Sequence, residues 1–146
     1  MRTTLTAAAI GLAATLAAPA ALASDADKLV TILTSEEPQT QLMSMVLTMQ
    51  SMQAGAGAYV LLCGPAGDLA LKDAPEAATA PQPPKGMSPQ ALMQKIMEQG
   101  ATVEVCAIYL PGKGVGADAL LDGITAAKPP AVAKRLLAED TRIMSF

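Results

Sequence analysis

The chain alternates short segments typical of buried strands with segments of helical spacing, and this alternation most limits the folds open to it. Residues 28–34 and 58–63 are dense in aliphatic and β-branched side chains, as in strands covered on both faces. Between them, residues 38–53 place a stripe of apolar side chains at helical intervals, formed by Leu42, Met45, Val46, Met49 and Met52. This order predicts an α/β fold with a parallel sheet and helices on both faces.

The alternation resumes in the second half of the sequence. Ser88 is a helix cap with Pro89 in the first turn, and Gly100 follows the end of the predicted helix. The later elements are a strand over 102–109, a short helix over 117–121, a short strand over 123–126, a helix over 130–138 and a closing strand over 141–146. These elements complete a single α/β domain.

A proline-rich segment, residues 73–86, interrupts this pattern. It carries Pro75, Pro81, Pro83 and Pro84 among small residues. Such a composition predicts a mobile or polyproline-like loop with no packed element. Too few residues precede the segment to form a domain, so we expect it to be a loop inside the domain over 24–146.

The first 23 residues have the pattern of a secretory signal peptide. Arg2 gives a positive start, residues 5–16 are apolar, and Ala21 and Ala23 suit cleavage before Ser24. The alternatives are a membrane anchor and a buried alanine-rich helix, but the run is too short to span a bilayer comfortably. We expect a mature protein, residues 24–146, that is periplasmic or secreted and has no membrane association after cleavage.

The composition excludes several classes of function. The chain has no His, so Ser-His-Asp and Cys-His catalysis are excluded and the commonest zinc ligand is missing. Three aromatic residues and a formal charge of −3 argue against nucleic acid as a partner. The turn over 35–38 has two carboxylates where a nucleotide-binding loop needs glycines. We therefore expect no nucleotide, no other cofactor and no metal.

The two cysteines are the candidate reactive groups. Cys106 lies near the carboxyl end of the third predicted strand, where parallel sheets place their sites, and the positive charge of Lys113 follows seven residues later. A nearby cation favours the reactive thiolate, although an inert buried cysteine is the alternative. Cys63 ends the second predicted strand in the same relative position, and a disulfide between the two is open.

A group of methionines in the first predicted helix has two interpretations. Met43, Met45, Met49 and Met52 offer thioethers, which are soft ligands for copper(I). Three of them lie on the apolar stripe, where methionine is an ordinary core residue. Core packing is the favoured interpretation.

Three segments in order resemble the DsrE/DsrF-like superfamily, which includes the TusD-type sulfur-relay proteins and the YchN-like proteins. They are residues 54–60, which lead into the second strand, residues 100–106 with the later Lys113-Gly114 pair, and the ending over 136–146. The resemblance implies a three-layer α/β/α sandwich around a five-stranded, mainly parallel, flavodoxin-like sheet, assembled as trimers or hexamers. It also implies that Cys106 carries a persulfide, with Lys113 in place of the family's usual Arg.

Two hypotheses for the function follow. The first is an exported DsrE-like sulfur-handling protein, at most a sulfur carrier or sulfurtransferase-like protein, with sulfane sulfur on Cys106 and an unidentified donor and acceptor. The second is a non-catalytic oligomeric binding module in which Cys63 and Cys106 form a disulfide. The separation of the two cysteines decides between bonded and free thiols.

Overall fold

A five-stranded, all-parallel sheet forms the centre of the protein in the computed structural model, which describes residues 27–146. The strands lie in the order β4-β3-β2-β1-β5. Their bounds are β1 Lys28–Leu33, β2 Gly57–Leu62, β3 Thr102–Val105, β4 Thr125–Ala126 and β5 Thr141–Ser145. The predicted α/β class and parallel sheet are confirmed, and the expected signal peptide, residues 1–23, lies outside the described residues.

Five helices connect the strands. They are α1 Pro38–Gln53, α2 Glu76–Thr79, α3 Pro89–Glu98, α4 Tyr109–Lys113 and α5 Pro129–Leu136. Two short 3-10 helices, Gly64–Ala70 and Ala117–Ala119, follow β2 and α4. No helix within residues 27–146 is long and apolar enough to cross a membrane.

The sheet separates two apolar clusters, which gives the three layers that the resemblance implies. The first cluster lies under α1 and α3 and includes Val60 and Leu62 of β2. The second cluster consists of Val30, Tyr59, Leu61 and Ala127, with two residues of α5 packed against it. Because successive side chains of a strand point to opposite faces, β2 contributes to both clusters. The α5 face is the more thinly covered, since α5 has no fully buried residue.

Helix α1 is fixed at its start and along its buried side. The Glu37 carboxylate accepts hydrogen bonds from the backbone N–H groups of Gln39 and Thr40, at 3.0 and 2.6 Å. These bonds hold the pKa of Glu37 below its usual range, because they stabilise the charged carboxylate. The hydroxyls of Thr31 and Thr48 lie 2.8 Å apart and connect β1 to α1 through a buried hydrogen bond. The helix is thereby held directly against the first strand.

The structure differs from the predicted elements around Cys106. The third strand ends at Val105, whereas the sequence predicted it to continue to Tyr109. After Cys106 the chain turns, the backbone N–H of Tyr109 donates to the carbonyl of Cys106 at 2.9 Å, and α4 begins. Gly114 ends α4 with a φ of 75°. The predicted glycine-rich turn is therefore a short helix with a glycine at its end.

The proline-rich segment is more ordered than its composition predicts. It contains helix α2, and Ala78 within this helix is only 2% exposed. An antiparallel bridge between Gln82 and Met87 closes the segment. The expectation of no packed element was wrong because the prolines flank the helical turn, and the small Ala78 side chain reaches the core.

Candidate functional site

The two cysteines of the chain lie side by side at the carboxyl edge of the sheet and form a disulfide. Their Cα atoms are 5.0 Å apart, within the range that disulfide geometry requires. The last paired residues of β2 and β3 are Leu62 and Val105, so Cys63 and Cys106 are the next pair in the same register. The structure thus joins the two residues whose relation the sequence leaves open.

The parallel pairing of the strands brings the sulfurs together. The backbone N–H of Cys106 donates to the carbonyl of Leu62 at 2.8 Å, and that of Cys63 donates to the carbonyl of Leu33 at 2.9 Å. These bonds continue the ladder one residue beyond each strand. Both cysteines are half-buried; Cys63 packs against the second cluster, on the face covered by α5, and Cys106 packs against both clusters. The disulfide therefore lies at the edge of the sheet, in two residues that are neither fully buried nor fully exposed.

A hydrogen-bonded group centred on Asp68 lies beside the disulfide edge. The hydroxyl of Tyr109 donates to Asp68 Oδ1 at 2.6 Å, and Lys113 Nζ donates to both carboxylate oxygens at 2.7 and 2.9 Å. A shallow cleft of about 420 Å³ is lined by Gly64, Pro65, Asp68, Ile108, Tyr109, Gly112 and Lys113. The ammonium of Lys113 is therefore held at the mouth of a cleft whose wall begins next to Cys63.

Burial and the Asp68 carboxylate together keep Tyr109 protonated. Burial raises the pKa of the Tyr109 phenol well above its usual range, and the hydrogen bond to Asp68 raises it further. Gly67 makes room for this ring, because a Cβ atom at that position would collide with it. Tyr109 consequently acts as a neutral hydrogen-bond donor that orients Asp68.

Asp68 and Tyr109 belong to this site but are not among the residues that the sequence pattern predicted for it. Asp68 follows Cys63 by five residues, and Tyr109 follows Cys106 by three. Asp68 and Tyr109 thus lie in the segments that directly follow the two cysteines. Their positions shortly after the cysteines were the only sequence signal that these two residues belong to the site. The hydrogen bond between them could be predicted only if β2 and β3 were known to be neighbours.

A second polar group lies on the α5 face, farther from the carboxyl edge. The hydroxyl of Tyr59 donates to Glu104 Oε2 at 2.7 Å, and the Thr125 hydroxyl donates to Glu104 Oε1 at 3.3 Å. The guanidinium of Arg135 lies 4.6 Å from the centre of the Tyr59 ring, a cation–π contact. Burial, and then Glu104, raise the pKa of Tyr59 far above its usual range. These contacts connect β2, β3, β4 and α5 beneath the cysteines.

The four methionines of α1 differ in burial, although Met43 and Met49 line the same surface cleft. Met45 is fully buried, Met49 and Met52 pack partly buried against the first cluster, and Met43 is 51% exposed. This distribution agrees with core packing. Within residues 27–146, no group of three or more His, Cys, Asp or Glu side chains is arranged to hold a metal ion.

Comparison with known proteins establishes the fold. No protein-family model and no curated protein matches the sequence. Among solved structures, the YchN protein from E. coli superposes with a TM-score of 0.63 at 18% identity, over 82% of this chain and 99% of its own. MTH1491, a protein of unknown function from Methanobacterium thermoautotrophicum, superposes with a TM-score of 0.60 at 14% identity, over 82% of this chain and 100% of its own.

Proposed function

The chain has the DsrE/YchN-like fold, and from this premise we propose that it is an exported sulfur-handling protein of the DsrE/TusD type. In this proposal the reduced Cys106 thiolate accepts a sulfane sulfur and holds it as a persulfide. The observation that carries the proposal is the position of Cys106, half-buried at the carboxyl edge of a parallel sheet in the expected fold. The disulfide is then the resting, oxidised form of the site.

The proposed chemistry needs only groups that the chain contains, together with a donor and an acceptor. The Cys106 thiolate attacks the sulfane sulfur of the donor, the new S–S bond forms, and the donor's leaving group departs with the electron pair. The sulfur then passes to an acceptor thiol. Lys113 is the basic residue nearest to Cys106 in the sequence, and its contact with Asp68 holds its ammonium group beside the cleft.

Export is part of the proposal because it fits the chemistry of the cysteines. Disulfides form and persist in oxidising compartments, and the chain joins both of its cysteines in one. Cleavage of the expected signal peptide would leave Ser24 as the first residue. Amino-terminal sequencing of the protein recovered from the periplasm or medium tests this, and an intact Met1 start would contradict it.

Self-association is also proposed, as trimers or hexamers of the kind that the family resemblance implies. Among residues 27–146, five large apolar side chains are exposed, and the two most exposed are Ile108 at 80% and Leu137 at 84%; the others are Met43, Leu47 and Ile143. Light scattering coupled to size-exclusion chromatography measures the assembly. A monomer at micromolar concentration would contradict this part of the proposal.

The persulfide is tested on a variant that cannot close the disulfide. Cys63→Ser is reduced, freed of reductant under anaerobic conditions, and incubated with thiosulfate or glutathione persulfide. We expect a mass gain of about 32 Da, one sulfur atom, which a reducing agent removes. The matched control is the double variant Cys63→Ser/Cys106→Ser. No gain on the single variant, or an equal gain on the control, would contradict the proposal.

The second candidate function is a binding module whose disulfide is purely structural, and the observation that favours it is the bond between Cys63 and Cys106. The two candidates differ in how the folded protein responds to mild reductant. A structural disulfide stays closed until the domain unfolds. A redox-active disulfide is reduced while the circular dichroism spectrum remains that of the folded protein. Thiol counting at increasing dithiothreitol, with circular dichroism in parallel, separates them.

A further inference from the structure

We propose that Cys63 is a resolving thiol, which makes the protein a reductant of sulfane sulfur that releases sulfide. This inference rests on the proposed function, because it requires a persulfide on Cys106. It goes further by assigning a chemical role to Cys63 and a product to the site. The family resemblance assigns Cys63 no role.

The position of Cys63 carries the inference. Its Cα lies 5.0 Å from that of Cys106, each cysteine follows the last residue of one of two directly paired strands, and both side chains pack against the second cluster. The disulfide shows that the two sulfurs reach bonding distance in the folded domain. A thiolate on Cys63 is therefore already placed to attack Cys106 Sγ when that atom carries a second sulfur.

The sequence of steps balances with two named co-reactants, a sulfane donor and a dithiol reductant. With thiosulfate, the Cys106 thiolate bonds to the sulfane sulfur, the S–S bond of thiosulfate breaks, and sulfite leaves with the electron pair. The Cys63 thiolate then bonds to Cys106 Sγ and the bond from Cys106 Sγ to the outer sulfur breaks. The outer sulfur keeps that electron pair, takes a proton from water and leaves as hydrosulfide. The two thiols lose two electrons, the sulfane sulfur gains them, and the dithiol reductant restores both thiols.

Attack on the inner sulfur competes with transfer of the outer sulfur to an external acceptor. The sulfur that is attacked decides the product, since attack on the outer sulfur passes on a persulfide and attack on the inner one frees sulfide. Cys63 holds the advantage for the second route because the sheet positions it, so the reaction is unimolecular. Because both cysteines lie one residue beyond the last ladder pair, this advantage depends on the register of β2 and β3.

The test follows sulfide and persulfide in one experiment. Wild type, Cys63→Ser and Cys106→Ser are reduced, desalted anaerobically and mixed with thiosulfate, which contains no thiol. Sulfide is quantified by bimane derivatisation. At the same time points, the protein is alkylated and its mass is measured by mass spectrometry. Circular dichroism confirms that each variant is folded, and Cys63→Ala serves as a second substitution at the resolving position.

We expect wild type to release one sulfide per chain and to end as the closed disulfide without added sulfur. Cys63→Ser and Cys63→Ala retain the mass gain of about 32 Da and release sulfide at least about 100-fold more slowly. A persulfide of equal lifetime in wild type and Cys63→Ser would overturn the role of Cys63 and leave the proposed function standing. No persulfide on either Cys63 variant would overturn the proposed function itself.

Discussion

Opening the disulfide should cost the domain a large part of its stability without changing its fold. The bond joins residues separated by 43 positions, and the loop-entropy relation gives about 4 kcal/mol for a loop of that length. A domain of this size has a free energy of unfolding of about 5–15 kcal/mol, so the reduced protein should stay folded at 25 °C. Reduction removes the constraint from the unfolded chain and changes few native contacts, because the register of β2 and β3 holds both cysteines in place.

The measurement is urea unfolding of the oxidised and the reduced wild type, followed by circular dichroism. The two forms share one sequence, so the difference in unfolding free energy reports the cross-link alone. The double variant Cys63→Ser/Cys106→Ser is the control and should match the reduced protein within about 1 kcal/mol. A difference below about 1 kcal/mol between oxidised and reduced wild type would refute the reasoning.

Three further predictions concern the two tyrosines, Gly67 and the buried Met45. The pKa values of Tyr59 and Tyr109 are raised in the folded domain, so both phenols should stay protonated there above pH 10 while they ionise in the unfolded chain. The free energy of unfolding should therefore be unaffected below about pH 10. Above that pH, each tyrosine should lower it by about 1.4 kcal/mol per pH unit. Native tyrosinate absorbance rising near pH 10 would contradict this. Gly67→Ala should destabilise the fold by about 1–3 kcal/mol, because the added methyl group collides with the Tyr109 ring. Gly112→Ala, where the added methyl group meets open space, is the control and should leave stability unchanged. Equal urea midpoints for the two variants would contradict this prediction. Met45→Ala should cost about 2–5 kcal/mol and Met45→Leu less than about 1.5 kcal/mol, with copper(I) affinity unchanged in Met45→Leu; a loss of copper binding in that variant would favour the metal interpretation.

Much of the fold could be predicted because its elements have strong local patterns. Helix α1 combines an apolar stripe with Pro38 in its first turn, and β1 and β2 are continuous apolar runs, so periodicity identified all three. The third strand was predicted too long because residues 106–109 remain apolar after the strand ends. Tyr109 packs in the core from the first turn of α4, whereas Ile108 in the preceding turn is 80% exposed, so an apolar side chain there does not mark a buried strand.

The candidate site could be predicted in part. Both cysteines were assigned to strand ends, and parallel topology makes the ends of neighbouring strands meet at one edge. The order of the strands was not determined by local pattern, so the bond between the cysteines stayed open until the sheet was known. Asp68 and Tyr109 could not be assigned, since their hydrogen bond joins segments 41 residues apart in the chain.

The central claim is that Cys63 and Cys106 form a reversible disulfide within one chain, and peptide mapping tests it most directly. Trypsin separates the two cysteines, because Lys72 and Lys95 lie between them, and yields the peptides 29–72 and 96–113. We predict that digestion of the single-chain band from a non-reducing denaturing gel gives these two peptides as one linked species. When the folded protein is first treated with mild reductant and its thiols are alkylated, the two peptides should appear separately, each with an alkylated cysteine. Separate peptides from the untreated protein, or a link between chains, would contradict the account.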